Sequence, residues 1–290
     1  MDIYFRKLEF EDIPAIKDIS KDIWEGWDYI PGIIEQWLKD ENCLNYGAFI
    51  DENRSMMVGF GRIKIINNYL AWLEGGRVKL EYQRQGIGRE MIKYALDYAY
   101  KVNAKVAQFD TSSTNLGSQS LAKHFGFKRK KSMNVLNAEK KDIQITDDSN
   151  PEFTKISAHR AKSFYKSFDI SLGDEICFGW SYTPLNYITD NDGEWYIHDS
   201  DAIVQTIKYK RTVLQEFPGE NEIWLIAYGT PKIAFGLLKA VLQKELQNEG
   251  SNYFEVFCHP DIANLIETIG FYYYEGKPFG VVLFEKDLNK

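Results

Sequence analysis

The chain has 290 residues, with 35 Lys and Arg against 42 Asp and Glu, so its net charge is −7. That balance argues against general nucleic-acid binding, which needs a basic face, and suits a cationic small molecule. With 44% hydrophobic and 27% charged residues the composition is that of an ordinary globular protein, long enough for two domains.

No apolar run approaches the length of a membrane span, so no membrane partner is expected. The first residues carry neither a signal nor a transit pattern, which makes the cytoplasm the expected location. Cys43, Cys177 and Cys258 lie too far apart for a disulfide framework or a metal pair, and no metal is expected. The oligomeric state is left open.

Residues 3–8 read as an opening strand and 11–23 as a helix with Ile13, Ile16, Ile19 and Ile23 on one face, Pro14 being tolerated in its first turn. A shorter helix is expected over 31–38. Strands over 46–50 and 56–66 pair as a hairpin, and a further strand runs from 69 to Leu80. Met91, Ile92, Ala95, Leu96 and Ala99 then repeat at helical spacing. Between that strand and helix lies Gln83-x-x-Gly86-x-Gly88. A strand feeding a glycine-rich turn that opens a helix is an anion cradle, because glycine allows close approach and the first helical amides face the charge. The third glycine of a dinucleotide fingerprint and the Gly-Lys-Ser/Thr of a nucleotide loop are both missing. An ordinary turn at Gly86 is the alternative.

Downstream come a strand candidate over 104–110, then Thr114-Asn115-Leu116-Gly117-Ser118 opening a short helix, then Gly126-Phe127 leading into another strand. The two motifs, in this order, resemble the GNAT acetyltransferase superfamily over about residues 1–136. The element order β-α-α-β-β-β-α-β-α-β is also that of the superfamily. The resemblance implies an α/β (α+β) fold, a mixed central sheet flanked by helices, and acetyl-CoA as cosubstrate. It implies direct attack of a primary amine on the thioester.

Site residues follow from the same resemblance. Strand backbone at Val78 and Leu80 would bond the pantetheine arm. The loop Gln83, Arg84, Gln85, Gly86, Ile87, Gly88 and Arg89 would hold the pyrophosphate, mainly through the amides of Gln85 to Arg89. Asn115, with Ser118 beside it, matches the asparagine that contacts the cofactor arm. Glu74 is the expected base: it stands four residues before Val78, which on a regular strand puts both on one side. A salt-bridged carboxylate, with Arg77 as partner, is its plainer reading. Many family members carry Leu-Tyr where this chain has Leu121-Ala122, so the usual acid for the leaving thiolate is absent. Ser118, Ser120 and His124 are the substitutes within reach. Trp24, Trp27, Asp28 and Tyr29 cluster between the first two helices, and aromatic faces with a carboxylate suit a cationic amine. The Asp-Tyr-Ile-Pro string, the Leu-Ala pair and the second half described next resemble a histidine N-acetyltransferase-like subgroup.

Residues 138–150 are polar and charge-dense, the composition of a linker between a catalytic domain at 1–137 and a second domain at 151–290. That second half repeats the theme, with strands over 222–228, 253–258 and 281–285, helices after Thr230-Pro231 and over 261–268, and a second Gly-Phe at Gly270-Phe271. Tyr228-Gly229-Thr230-Pro231 stands where the phosphate loop would be, with one glycine lost and a proline that has no N–H. The second copy is therefore expected to brace the first and close the acceptor cleft. The acidic stretch 190–192 before Gly193 reads as a hairpin turn between 187–189 and 194–196 and not a calcium loop. The leading expectation is acetylation of a small-molecule amine or amino acid. Acetylation of a protein N-terminus, or an acyl-CoA sensor without turnover, are the alternatives.

Overall fold

A computed structural model describes residues 2–26, 28–146, 151–167, 175–210, 221–274 and 276–289. The first half runs β1 (Tyr4–Lys7), α1 (Ile13–Ser20), α2 (Ile30–Lys39), β2 (Cys43–Phe49), β3 (Met57–Ile66), β4 (Leu70–Val78), α3 (Ile87–Lys101), β5 (Val106–Ser112), α4 (Leu116–His124) and β6 (Lys128–Glu139). This is the order expected from hydrophobic periodicity. The second half runs β7 (Thr154–Ile156), α5 (Ala158–Ser167), β8 (Glu175–Phe178), β9 (Ser181–Pro184), β10 (Glu194–His198), β11 (Ala202–Lys210) and β12 (Asn221–Gly229). It closes with α6 (Pro231–Glu245), β13 (Ser251–Cys258), α7 (Pro260–Glu267) and β14 (Gly280–Asp287).

The two halves share one twelve-stranded sheet, in the order β1-β2-β3-β4-β5-β14-β6-β13-β12-β11-β10-β7. Each half has lent its closing strand to the other. β5 pairs with β14 from the end of the chain, β13 pairs with β6 from the first half, and β14 and β6 pair with each other at the centre. Alternation along β14 serves both sides: Val281 and Leu283 enter one core, Val282 and Phe284 another. One face of the sheet is covered by α1 and α2, then by α5 and the β8–β9 hairpin. The opposite face is covered by α3 and α4, then by α6 and α7.

Three expectations change. The described part of the expected linker, 138–146, stays with the sheet: Ala138 and Glu139 finish β6, and Gln144 donates its amide to the Ile269 carbonyl at 3.0 Å, while 147–150 lie outside the described residues. The helix over 11–23 stops at Ser20, with single 3-10 turns at Phe10–Asp12 and Ile23–Gly26 on either side. Residues 187–189 form no strand with 194–196. Asp192 instead folds back to accept from the Thr189 amide and hydroxyl, and β10 pairs with β11 and β7. Among the described residues no helix is long and apolar enough to cross a membrane.

Candidate active site

The loop after β4 begins with a 3-10 turn at Leu80–Tyr82, so the strand ends two residues before Leu80, which is exposed. Gln83 (φ −65°, ψ 157°) is followed by Arg84 at φ 60°, the pattern of a type II turn. Gly86 caps α3 in the left-handed region, at φ 89°, with open space where a Cβ would stand. Among the described residues no acceptor is found for the amides of Gly86, Ile87 and Gly88. They are the unpaired donors every helix start leaves.

The Arg89 amide is different. It donates to the Gly86 carbonyl at 3.0 Å as the first turn of α3 closes, so the free set ends at Gly88 and does not reach Arg89. Two glutamines also have structural duties: Gln83 donates to the Val78 carbonyl at 3.1 Å, pinning the loop to the strand end, and Gln85 to the Glu81 carbonyl at 3.0 Å, bracing the 3-10 turn. Gly88 faces α4, where a Cβ would make an ordinary contact with Leu121 at 3.4 Å.

β4 and β5 run parallel but pair only at Leu70↔Val106, Ala71↔Ala107 and Trp72↔Gln108. Beyond Trp72, β4 keeps β3 as its partner and β5 keeps β14, so a slot opens between them. β4 also bulges. Glu74 lies opposite Arg62 and Arg77 opposite Phe60, so Gly75 and Gly76 together face Gly61. Gly75 holds φ 65°, and a Cβ there would sit 2.5 Å from the Trp37 ring.

The extra residue reverses the alternation. Val78 packs with Ala71 and Leu73 against the α3 side, whereas Glu74 follows Leu70 and Trp72 on the α1–α2 side. Glu74 and Val78 therefore do not share a side, as a regular strand would require. The partner of Glu74 is also not Arg77. Its Oε1 lies 3.3 Å from Arg62 Nε, and Arg62 itself donates to Asp40 at 2.6 Å and to Cys43 Sγ at 2.8 Å while stacking on Trp37. Burial pushes the Glu74 carboxyl above the usual range, against the pull of Arg62 and Lys64.

Arg77 is taken by Asp28. Its Nε and Nη2 reach the two carboxylate oxygens at 3.0 and 2.9 Å, both residues being buried. The guanidinium lies 4.3 Å from the Trp24 ring centre and 5.6 Å from that of Tyr29. The cation expected against this aromatic and acidic cluster is thus supplied by the chain itself. Trp27 lies outside the described residues. Tyr29 meets Trp37 edge-on, and burial pushes its hydroxyl up to about 12.

On β5, Ala107 and Phe109 enter the α3-side core, so Asp110 faces the same side as Glu74. Its Oδ2 accepts from the Ser181 hydroxyl at 2.7 Å and the Tyr182 amide at 2.9 Å, both on β9. Burial, with a contribution from Glu74, pushes this carboxyl up to about 7 against those two hydrogen bonds. Sequence reasoning missed Asp110. The only local sign was its place at the far end of a strand whose alternate residues are apolar.

Asn115 caps α4, its Oδ1 accepting from the Ser118 amide at 3.0 Å. Ala122 is buried in the core shared with α3, and His124 is exposed at the helix end against the edge of Phe125.

Residues 13–127 match the sequence profile of the Acetyltransferase (GNAT) family. No curated protein matches the chain. Among solved structures, a tandem GNAT protein from the clavulanic acid biosynthesis pathway is similar over 100% of this chain and 99% of its own, with 13% identity and a TM-score of 0.62. A provisionally assigned acetyltransferase from Thermoplasma acidophilum is similar over 98% and 99%, with 15% identity and a TM-score of 0.58. Another, from Pyrococcus horikoshii, covers 98% and 89% with 18% identity and a TM-score of 0.56. At such identities the likeness establishes the fold, a tandem arrangement of two GNAT-like halves.

Proposed function

Residues 13–127 belong to the GNAT acetyltransferase family, and on that premise we propose that this chain is an N-acetyltransferase moving an acetyl group from acetyl-CoA to a primary amine of a small molecule. The observation that carries the reading is the conjunction of three free amides at Gly86 to Gly88 with the slot between β4 and β5. The amides and the positive end of α3 would hold the diphosphate, with Asn115 and Ser118 at the neighbouring helix start. The unpaired edge of β4 from Leu73 to Val78 would line the arm. When bound, acetyl-CoA supplies an acetyl group already activated as a thioester.

The rest falls to the chain. α3 covers one face of the slot and Glu74 stands on the other, so the cofactor loop and the amine side are separated by the sheet. Arg62 keeps Glu74 oriented, and the Asp28–Arg77 pair with Trp24 and Tyr29 walls the amine side. The β8–β9 hairpin reaches this side through Ser181 and Tyr182, which supports an enclosed pocket and a small acceptor over an open groove for a polypeptide. Within this reading the second half braces and closes, and the first half carries the transfer. Ala122 offers no acid, and a thiol with a pKa of about 8.5 leaves tolerably as its anion near neutral pH.

Calorimetric titration of coenzyme A into the wild type and Gly86→Glu tests the placement. The wild type is expected to bind saturably. The variant meets no clash, and its left-handed backbone costs about 1–2 kcal/mol, yet its carboxylate should weaken binding by roughly a hundredfold or more. Equal titration curves would refute the placement.

A further inference from the structure

Two carboxylates meet at the mouth of the slot. The last paired residues of the parallel strands are Trp72 and Gln108, and Glu74 and Asp110 each lie two residues beyond, on the same face. They differ in what holds them. Glu74 is bound to a permanent cation, Arg62 Nε at 3.3 Å. Among the described residues the groups that donate to Asp110 from elsewhere in the chain are neutral, the Ser181 hydroxyl and the Tyr182 amide, and both grip Oδ2. Among the described residues no side chain or backbone group of another residue is found bonded to Oδ1, on a residue that is only half-buried.

Resting on the acetyl-transfer reading above, we infer that Asp110 is the proton acceptor for the amine, positioned by the β8–β9 hairpin of the second half, while Glu74 anchors the ammonium. The acceptor is accordingly a primary amine that arrives protonated. One N–H proton passes to Asp110 Oδ1. The freed lone pair forms the N–C bond to the acetyl carbon as the C–S bond breaks, and the thiolate leaves with that electron pair and takes the second proton to become coenzyme A thiol. The product is the neutral amide. Asp110 then returns its proton to water.

The electrostatics favour this division of roles. Burial raises both carboxyls, but Arg62 and Lys64 pull Glu74 back toward its charged form, whereas no cation is among the groups acting on Asp110. Asp110 is raised by burial and by the nearby charge of Glu74, which suits proton transfer near neutral pH. The titratable groups around it are Glu74 on β4, Tyr29 before α2, Cys177 on β8 and Tyr182 on β9, and burial pushes each of these up as well. Of these four, Glu74 is the one whose charge raises Asp110 further.

Thiol release from acetyl-CoA is followed with a panel of tryptamine, tyramine, 1,4-diaminobutane, histidine and a peptide with a free alanine N-terminus. The best acceptor is then taken through a pH profile. In the wild type kcat/KM should rise with pH through a limb near 7 as Asp110 ionises. Asp110→Asn can keep both hydrogen bonds from β9. It should lose about a hundredfold in kcat and lose the limb, with coenzyme A affinity unchanged. Ser181→Ala removes a donor that holds the charged form, so its limb should move to higher pH. An active Asp110→Asn that retains the limb, or an unmoved limb in Ser181→Ala, overturns the assignment while leaving acetyl transfer intact. A wild type that binds coenzyme A but releases no thiol with any of these amines overturns the transfer reading, and the inference with it.

Discussion

The turn after β4 and the turn after β12 occupy equivalent places in the two halves, and only the first is open. β12 and β13 stay paired from Asn221↔Ser251 to Ala227↔Cys258, seven register pairs where β4 and β5 have three. No slot can form between strands zipped to their ends. At the turn itself, Gly229 (φ 125°) lies so close to the neighbouring strand that a Cβ would stand 2.1 Å from the Asp201 carbonyl oxygen. Thr230 gives its amide to that same oxygen at 3.0 Å, and Pro231 has none to give. At Gly86 there is open space, and among the described residues the next two amides have no acceptor. The same strand–turn–helix path can thus be a ligand cradle or a sealed joint. Backbone donors left without partners, and a sheet left unzipped beside them, make the difference.

The largest effect should come from breaking the exchange that joins the halves. A chain ended at Phe279 lacks β14, the strand between β5 and β6, and with it Val281 to Phe284, which enter two cores. It is expected to lose its cooperative melting transition in calorimetry. A soluble, cooperatively melting 1–279 would show that each half closes its own sheet. A matched pair of glycines sharpens the contrast of the turns. Gly229→Ala should destabilise by roughly 1–3 kcal/mol from backbone strain, with the carbonyl clash in addition, a fall in Tm of about 5 °C or more, and leave coenzyme A binding unchanged. Gly86→Glu meets no clash and carries only the left-handed backbone cost of about 1–2 kcal/mol, but should lose coenzyme A binding. Loss of coenzyme A binding in Gly229→Ala would mean the second turn is no sealed joint.

Glu74→Gln carries the smallest expected effect. If Glu74 anchors the ammonium, KM for the amine should rise about tenfold, with kcat within about threefold and the limb near 7 still present. Should the limb vanish instead, Glu74 and not Asp110 is the base. The sign is the same for either residue. A carboxyl held above its ordinary range must ionise to accept a proton, so activity is lost as pH falls through that raised value.

The glycine-rich turn that opens α3 was legible because all its determinants lie within ten residues: a strand end, two glycines and the start of an apolar helical stripe. The strand and helix order was legible for the same reason, since periodicities of 2 and 3.6 are local. The cluster of Trp24, Asp28 and Tyr29 could be seen, but its occupant could not. Arg77 comes from 49 residues beyond Asp28, on a strand whose bulge decides which way it points.

The amino-acid sequence alone determined where the chain turns, which faces are apolar, and that free amides would open α3. Tertiary structure decided everything that depends on which strand lies beside which. A single bulge at Gly75 and Gly76 placed Glu74 and Val78 on opposite faces, and the end of pairing at Trp72 opened the slot. Ser181 reaches Asp110 across 71 residues of chain because the hairpin that carries it packs on the far half. β6 and β14 each read as an ordinary strand, and nothing local distinguishes a strand that stays at home from one that crosses. Strand pairing is chosen by the free energy of the whole sheet, and a window of sequence holds only one side of each ladder.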